Sequence, residues 1–155
     1  MSVNFRELRL ELSGLLENSF WLTNLSNMSA LIMSQMPGLN WCGFYLLVDG
    51  ELKLGPFQGQ PACLTIPMGK GVCGTAAASR SSIVVPDVHQ FPGHIACDSR
   101  SKSEIVVPIA AGDRLIGVLD VDSPEFGRFS DEDRLGLESL VSVLIDRTDW
   151  PASFR

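Results

Sequence analysis

No stretch of this chain approaches the run of about eighteen apolar residues that a membrane span requires. The N-terminal segment MSVNFRELRLELSGLLEN mixes charges among its apolar residues, so it lacks the continuous core of a signal peptide. Basic residues are few: 12 Lys and Arg stand against 18 Asp and Glu, a formal net charge of −6, and no basic run offsets that balance. Nucleic acid is therefore excluded as a partner, because phosphate binding needs clustered Lys and Arg. Charged residues make up only 19% of the chain, too few for a disordered protein. There is no CxxC pair, no GxxxxGK[ST] and no GxGxxG, and the loop GKGVCG resembles a phosphate cradle only superficially. Internal repeats, low-complexity tracts and linkers are also missing, which leaves one domain over residues 1–155 in a cytoplasmic setting. In that compartment four cysteines point to catalysis, redox sensing or metal rather than to structural disulfides.

What is present alternates between helical and strand periods. Phe5, Leu8, Leu12, Leu15 and Leu16 recur at helical spacing, as do Leu22, Leu25, Met28 and Leu31, predicting helices over 4–17 and 20–36. WCGFYLLV and ELKLGPF flank Asp49-Gly50 and read as a β-hairpin. Residues 61–67 form a further short strand, GVCGTAAASR a helix entered through glycines, and SIVVPDV a strand before an irregular stretch over 88–102. EIVVPIAA and RLIGVLDVDS pair through Gly112-Asp113, and Ser130 caps a last helix over 131–147. This order predicts an α+β domain with a central, largely antiparallel β-sheet flanked by helices.

Three thiols and three carboxylates crowd one span. Cys73 falls at a helix start, where unpaired N–H groups favour a thiolate; alone, it would be a small apolar residue packing that helix. Cys97 lies in the irregular stretch with His94 before it and Asp98 after it, and Cys63 follows a Pro-Ala turn. Cys42, mid-strand among Phe44, Leu46 and Val48, is a packing residue. Asp120 and Asp122 share a strand face with Ile116 and Val118, while Leu119 and Val121 point away. Alone, that pair could be a strand end emerging into water. Hairpin pairing brings Glu104 beside them, and clustered carboxylates resist simultaneous ionisation. Such a cluster suits a substrate ammonium and one acidic proton. Trp41 and Tyr45 share a face of their own strand and make an aromatic wall, or plain core. A zinc site from Cys63, Cys73, His94 and Cys97 ranks below redox chemistry, since structural zinc ligands come in closely spaced pairs.

The phrases GPFQGQPACLTIPMGKGVCGTAA, VVPDVHQFPGHIACDSRSKSEIVVPI and GVLDVDSPEFGRFSDED resemble the free methionine-(R)-sulfoxide reductases, which are single GAF domains. The likeness runs from the first helix to the last, with no departure at a motif position. It implies a GAF-like fold with Cys97 as the catalytic cysteine. Cys63 and Cys73 would be the other redox cysteines, Cys63 being the principal resolving partner. Glu104, Asp120 and Asp122 would hold the substrate and its sulfoxide oxygen, and Trp41 would receive the methyl group. The substrate implied is free methionine sulfoxide, the reductant thioredoxin, with no metal or organic cofactor. Family members are often dimeric, and the sequence specifies no interface. The rival reading is a GAF-type sensor that binds a small molecule or registers oxidation without turnover. All six thiols and carboxylates exceed what such a sensor needs, and the chain leaves no room for an output domain.

Overall fold

The computed structural model describes residues 2–155. Helix α1 (Phe5–Leu15) begins where the Asn4 side chain accepts the Glu7 N–H at 3.2 Å. Helix α2 (Trp21–Gln35) ends before the Pro37-Gly38 turn, and Gly38 takes the left-handed φ of 79°. Strands β1 (Trp41–Val48) and β2 (Glu51–Gln58) then form the hairpin around Asp49-Gly50, both with positive φ. Of residues 61–67 only β3 (Thr65–Pro67) is strand, because the preceding segment curls over the sheet to carry Cys63. Helix α3 (Gly71–Ser79), strand β4 (Ile83–Val85), β5 (Ser103–Ala111), β6 (Arg114–Ser123) and α4 (Asp131–Arg147) complete the order. The irregular stretch before β5 opens with one 3-10 turn, Val88–Gln90, seeded by Asp87 accepting the His89 N–H.

The strands make one sheet in the order β3-β2-β1-β6-β5-β4, and all five pairings are antiparallel. On one face α2 lies over β1 and β2, and α4 lies over β5. Helix α1 packs outside them, against both helices. Leu25, Met28, Ile32, Leu137, Leu140 and Leu144 meet Cys42, Phe44, Ile105, Leu119 and Val121 there, all buried. At roughly 1.5–3 kcal/mol for each large side chain removed from water, this face supplies the bulk of the driving force. The start of α4 is fixed by a capping box: Ser130 Oγ accepts from Asp133 N at 3.1 Å and the Asp133 carboxylate accepts from Ser130 N at 2.9 Å.

The opposite face carries α3 and the two irregular segments. Here one expectation fails. Ile116 belongs to the helix-covered core, on the same side as Leu119 and Val121, not on the face of Asp120 and Asp122. The register of β5 against β6 passes from Ile109–Gly117 to Ala110–Leu115, so Ile116 is the extra residue of a bulge and the alternation inverts there. Gly117 beside it is required: a Cβ would collide with the Tyr45 carbonyl and the Leu46 backbone of β1.

Candidate active site

Three adjacent strands present their side chains in rungs. Trp41 of β1, Asp122 of β6 and Glu104 of β5 stand in one rung; Gly43, Asp120 and Val106 form the next. The acids therefore form a triangle rather than a line. All three are buried, at 6–8% exposure. Helix α3 closes over them, and its Gly74 fits tightly against its own leading turn, where a Cβ would strike the Pro67 carbonyl and the Gly69 backbone. That approach sets the Cys73 sulfur and one carboxylate oxygen each of Glu104 and Asp120 within 4.8 Å of one another.

Burial dominates the electrostatics. It pushes the Asp120 carboxyl well above its ordinary range, and the neighbouring Asp122 and Glu104 push it further. The Asp122 carboxyl is raised by burial and then by Glu104, but its contact with Asp120 works the other way. Burial and mutual repulsion thus raise both carboxyls, which favours a proton held within the Asp120–Asp122 pair. Asp120 Oδ1 and Asp122 Oδ1 are buried without a hydrogen-bond partner among the described residues, an arrangement that would be costly unless a ligand meets it.

Cys73 reverses its expectation. It is the third residue of α3, near the positive end of the helix, yet burial and then the neighbouring carboxyl groups of Asp120, Glu104 and Asp122 drive its thiol well above the ordinary value. A helix terminus is worth about 0.3–1 kcal/mol to an anion, too little to offset burial beside three carboxyl groups. Cys73 is a neutral thiol next to Asp120, not a ready nucleophile.

Cys63 and Cys97 form a disulfide, with Cα atoms 5.3 Å apart across a sequence separation of 34 residues. The zinc arrangement of Cys63, Cys73, His94 and Cys97 is incompatible with that bond. The aromatic wall holds one arm of it. Trp41 Nε1 donates to the Gln60 carbonyl at 3.0 Å and the Tyr45 hydroxyl donates to the Cys63 carbonyl at 2.9 Å. Trp41 stacks between Tyr45, at 6.0 Å, and Phe57, at 5.2 Å between ring centroids. The other arm is held by polar residues that the sequence did not single out. Asn40 donates to Asp98 at 3.1 Å and to Ser101 at 3.0 Å, and its own N–H reaches the Asp122 carbonyl at 3.0 Å. The Arg100 guanidinium grips Asp98 and holds that carboxyl below the usual range. A short polar residue just before a strand gives little signal by itself, and its partners lie some sixty positions away.

Between the disulfide and the acids lies a cavity of about 30 Å³, room for one or two waters. Tyr45, Ile66, Val72, Cys73, His94, Ile95, Cys97, Asp98, Ser101 and the three acids line it. Trp41 stands behind Tyr45 and Cys63 beneath the loop. A larger groove of about 730 Å³ runs between α4 and β5, but no thiol lines it and its Arg134 is already paired with Asp131 and Glu138. The chemistry belongs to the smaller space.

A family model for the GAF domain matches residues 22–145. The free methionine-R-sulfoxide reductase of Escherichia coli (strain K12) is 52% identical over 141 residues, covering 89% of this chain and 85% of that protein. A protein described in the same words from Saccharomyces cerevisiae is 46% identical over 147 residues, covering 89% and 82%. Among solved structures, the fRMsr of Staphylococcus aureus in complex with substrate superposes with a TM-score of 0.91 at 51% identity, covering 96% of this chain and 98% of that one.

Proposed function

The chain belongs to the GAF domain family and, within it, to the free methionine-R-sulfoxide reductases, and from that premise we propose how its residues carry the reaction. It is an oxidoreductase that reduces free methionine (R)-sulfoxide to methionine. The observation that supports the assignment of roles is the buried pair Asp120 and Asp122, both carboxyls raised, in a cavity that Cys97 also lines.

In the reduced protein the Cys97 thiolate attacks the sulfoxide sulfur. Asp120 gives its proton to the sulfoxide oxygen, so that the oxygen passes to Cys97 as a hydroxyl and methionine leaves with the electron pair. Cys97 becomes a sulfenic acid. The Cys63 thiol displaces that hydroxyl as water and the disulfide forms. Asp122 and Glu104 are the counter-charge for the substrate ammonium, and the Asp122 Oδ1 that lacks a partner is one of the oxygens it meets. An acylated nitrogen carries no charge, so peptide-bound methionine sulfoxide is excluded. Trp41 and Tyr45 form the apolar wall behind the methyl group and, through Gln60 and Cys63, hold the resolving cysteine in reach. Cys73 acts as a neutral thiol that orients Asp120 rather than as a second resolving group.

The disulfide form leaves about 30 Å³ in this cavity, less than an amino acid needs, so substrate is bound by the reduced protein in a more open arrangement. Thioredoxin as reductant, a cytoplasmic location, a dimeric state and a single domain spanning residues 1–155 complete the proposal; no helix among the described residues is long and apolar enough to cross a membrane. Turnover of the separated R and S forms of free methionine sulfoxide with thioredoxin as reductant tests the whole. Methionine release from the R form alone is expected, and equal use of both forms would overturn it.

A further inference from the structure

Asn40 and Trp41, where the chain enters β1, fasten the two arms of the disulfide. Trp41 holds the Cys63 arm through the Gln60 carbonyl, at 3.0 Å. Asn40 holds the Cys97 arm: its Nδ2 donates to Asp98 Oδ2 at 3.1 Å and to Ser101 Oγ at 3.0 Å. Those partners are the two ends of the turn that follows Cys97, closed by the Ser101 N–H on the Asp98 carbonyl at 3.2 Å. The Asn40 backbone N–H donates to the Asp122 carbonyl at 3.0 Å, so the same residue is fixed to the strand that carries two of the acids. A carboxylate only accepts hydrogen bonds, and Arg100, which also grips Asp98, keeps it in that form. The amide nitrogen is therefore the end that faces Asp98, and Asn40 Oδ1 is left buried without a partner among the described residues. Leaving that atom unpaired costs free energy, which marks the donating end of the amide as the one the fold uses.

Resting on the reductase reading above, we infer that Asn40 is a positioning residue for the resolving step: its amide draws the segment carrying Cys97 against the start of β1, within reach of the Cys63 arm that Trp41 tethers beside it. Asn40 touches no reacting atom. In that step the Cys63 sulfur bonds to the Cys97 sulfur as the S–O bond of the sulfenic acid breaks, and the hydroxyl leaves with the Cys63 proton as water. The Cys97 sulfur is reduced as the Cys63 sulfur is oxidised, so no outside electron donor is needed. Both the rate of this step and the stability of the bond it makes depend on the effective concentration of one sulfur at the other, which falls when either arm is freed.

Asn40→Asp keeps the shape, removes both donors and sets a second carboxyl against Asp98; Asn40→Ala removes the donors without adding charge. The Cys63–Cys97 disulfide is equilibrated in buffers of glutathione disulfide, which oxidises the two thiols and leaves as two glutathione thiols. The equilibrium constant for forming the bond should fall about tenfold in each variant, as expected for the loss of one or two hydrogen bonds. After a single turnover, disulfide formation should slow by a similar factor and methionine release by less. Ser101→Ala deletes one of the two partners and should give a smaller drop in the same direction. Asn24→Asp serves as the comparison: Asn24 is wholly buried in α2 and donates to Thr148 Oγ1 at 2.9 Å. It should lower the melting temperature and leave the equilibrium constant unchanged. A constant unchanged in both Asn40 variants, or shifted equally by Asn24→Asp, overturns the inference. Should that happen while the parent still releases methionine from the free R sulfoxide, only the role of Asn40 is lost. A parent that releases none removes the reductase reading and the resolving step with it.

Discussion

The two faces of the sheet are made by alternate residues of the same strands, and they obey opposite rules. On β6, Leu119 and Val121 point into a helix-covered apolar core, while Asp120 and Asp122 point into the cavity beneath α3. The cysteines repeat the contrast. Cys42 is wholly buried among apolar side chains, whereas Cys73, equally enclosed, sits beside carboxylates. One face gains free energy by excluding water. The other gives some up to keep a proton and two carboxyl oxygens without protein partners, and the helix-covered face carries that cost. A site so built can live only on a scaffold with stability to spare.

The comparison can be broken most severely at the thiols. Cys97→Ser should abolish methionine release even in a single turnover, because the nucleophile is gone; retained single-turnover release would dismiss the assignment. Cys63→Ser should still release about one methionine per protein and then stall with thioredoxin, since the sulfenic acid forms but resolves poorly.

Next come the acids. Asp120→Asn, which keeps the shape but holds no transferable proton, should lower kcat on the order of 10²-fold or more. The same change should stabilise the protein. The folded Asp120 carboxyl is raised far above its ordinary value of 3.8, so the native state binds more protons than the unfolded chain between the two values. Its contribution is fully present below the ordinary value and is lost as pH rises through the folded one. The melting temperature of Asp120→Asn should therefore exceed that of the parent at pH 8, by a margin that shrinks towards pH 5. A margin that is flat or grows on acidification would mean that Asp120 is ionised.

The opposite face should respond in the opposite sense. Leu140→Ala should cost about 2–5 kcal/mol of stability by opening a cavity in the core, with kcat at low temperature little changed. Cys42→Ala should be the mildest, about 1 kcal/mol in stability and nothing in redox cycling. Any thioredoxin-dependent defect in Cys42→Ala would blur the division between the faces.

Much of this division is legible in the sequence. Period-two alternation in WCGFYLLV and RLIGVLDVDS separates the faces, Asp-Gly turns mark one hairpin, and the Ser130 cap marks α4. Hairpin pairing brings Glu104 close to Asp120 and Asp122, but its direct alignment with Asp122 depends on the bulge at Ile116, without which it would lie opposite Val121. What eluded the sequence is non-local. The inversion at Ile116 sits beside the close contact of Gly117 with the backbone of β1, a strand some seventy residues earlier. The neutral state of Cys73 depends on acids more than thirty positions away, so its helix position was a misleading guide. Asn40 is invisible until Asp98 and Ser101 arrive beside it.

The most direct test of the central claim is the protonation state of Asp120 itself. Infrared difference spectroscopy of the reduced protein, comparing parent with Asp120→Asn, should show the carbonyl stretch of a protonated carboxylic acid at pH 7.5 in the parent and its loss in the variant. A parent without that band at pH 7.5, or a band that survives in Asp120→Asn, would contradict the account.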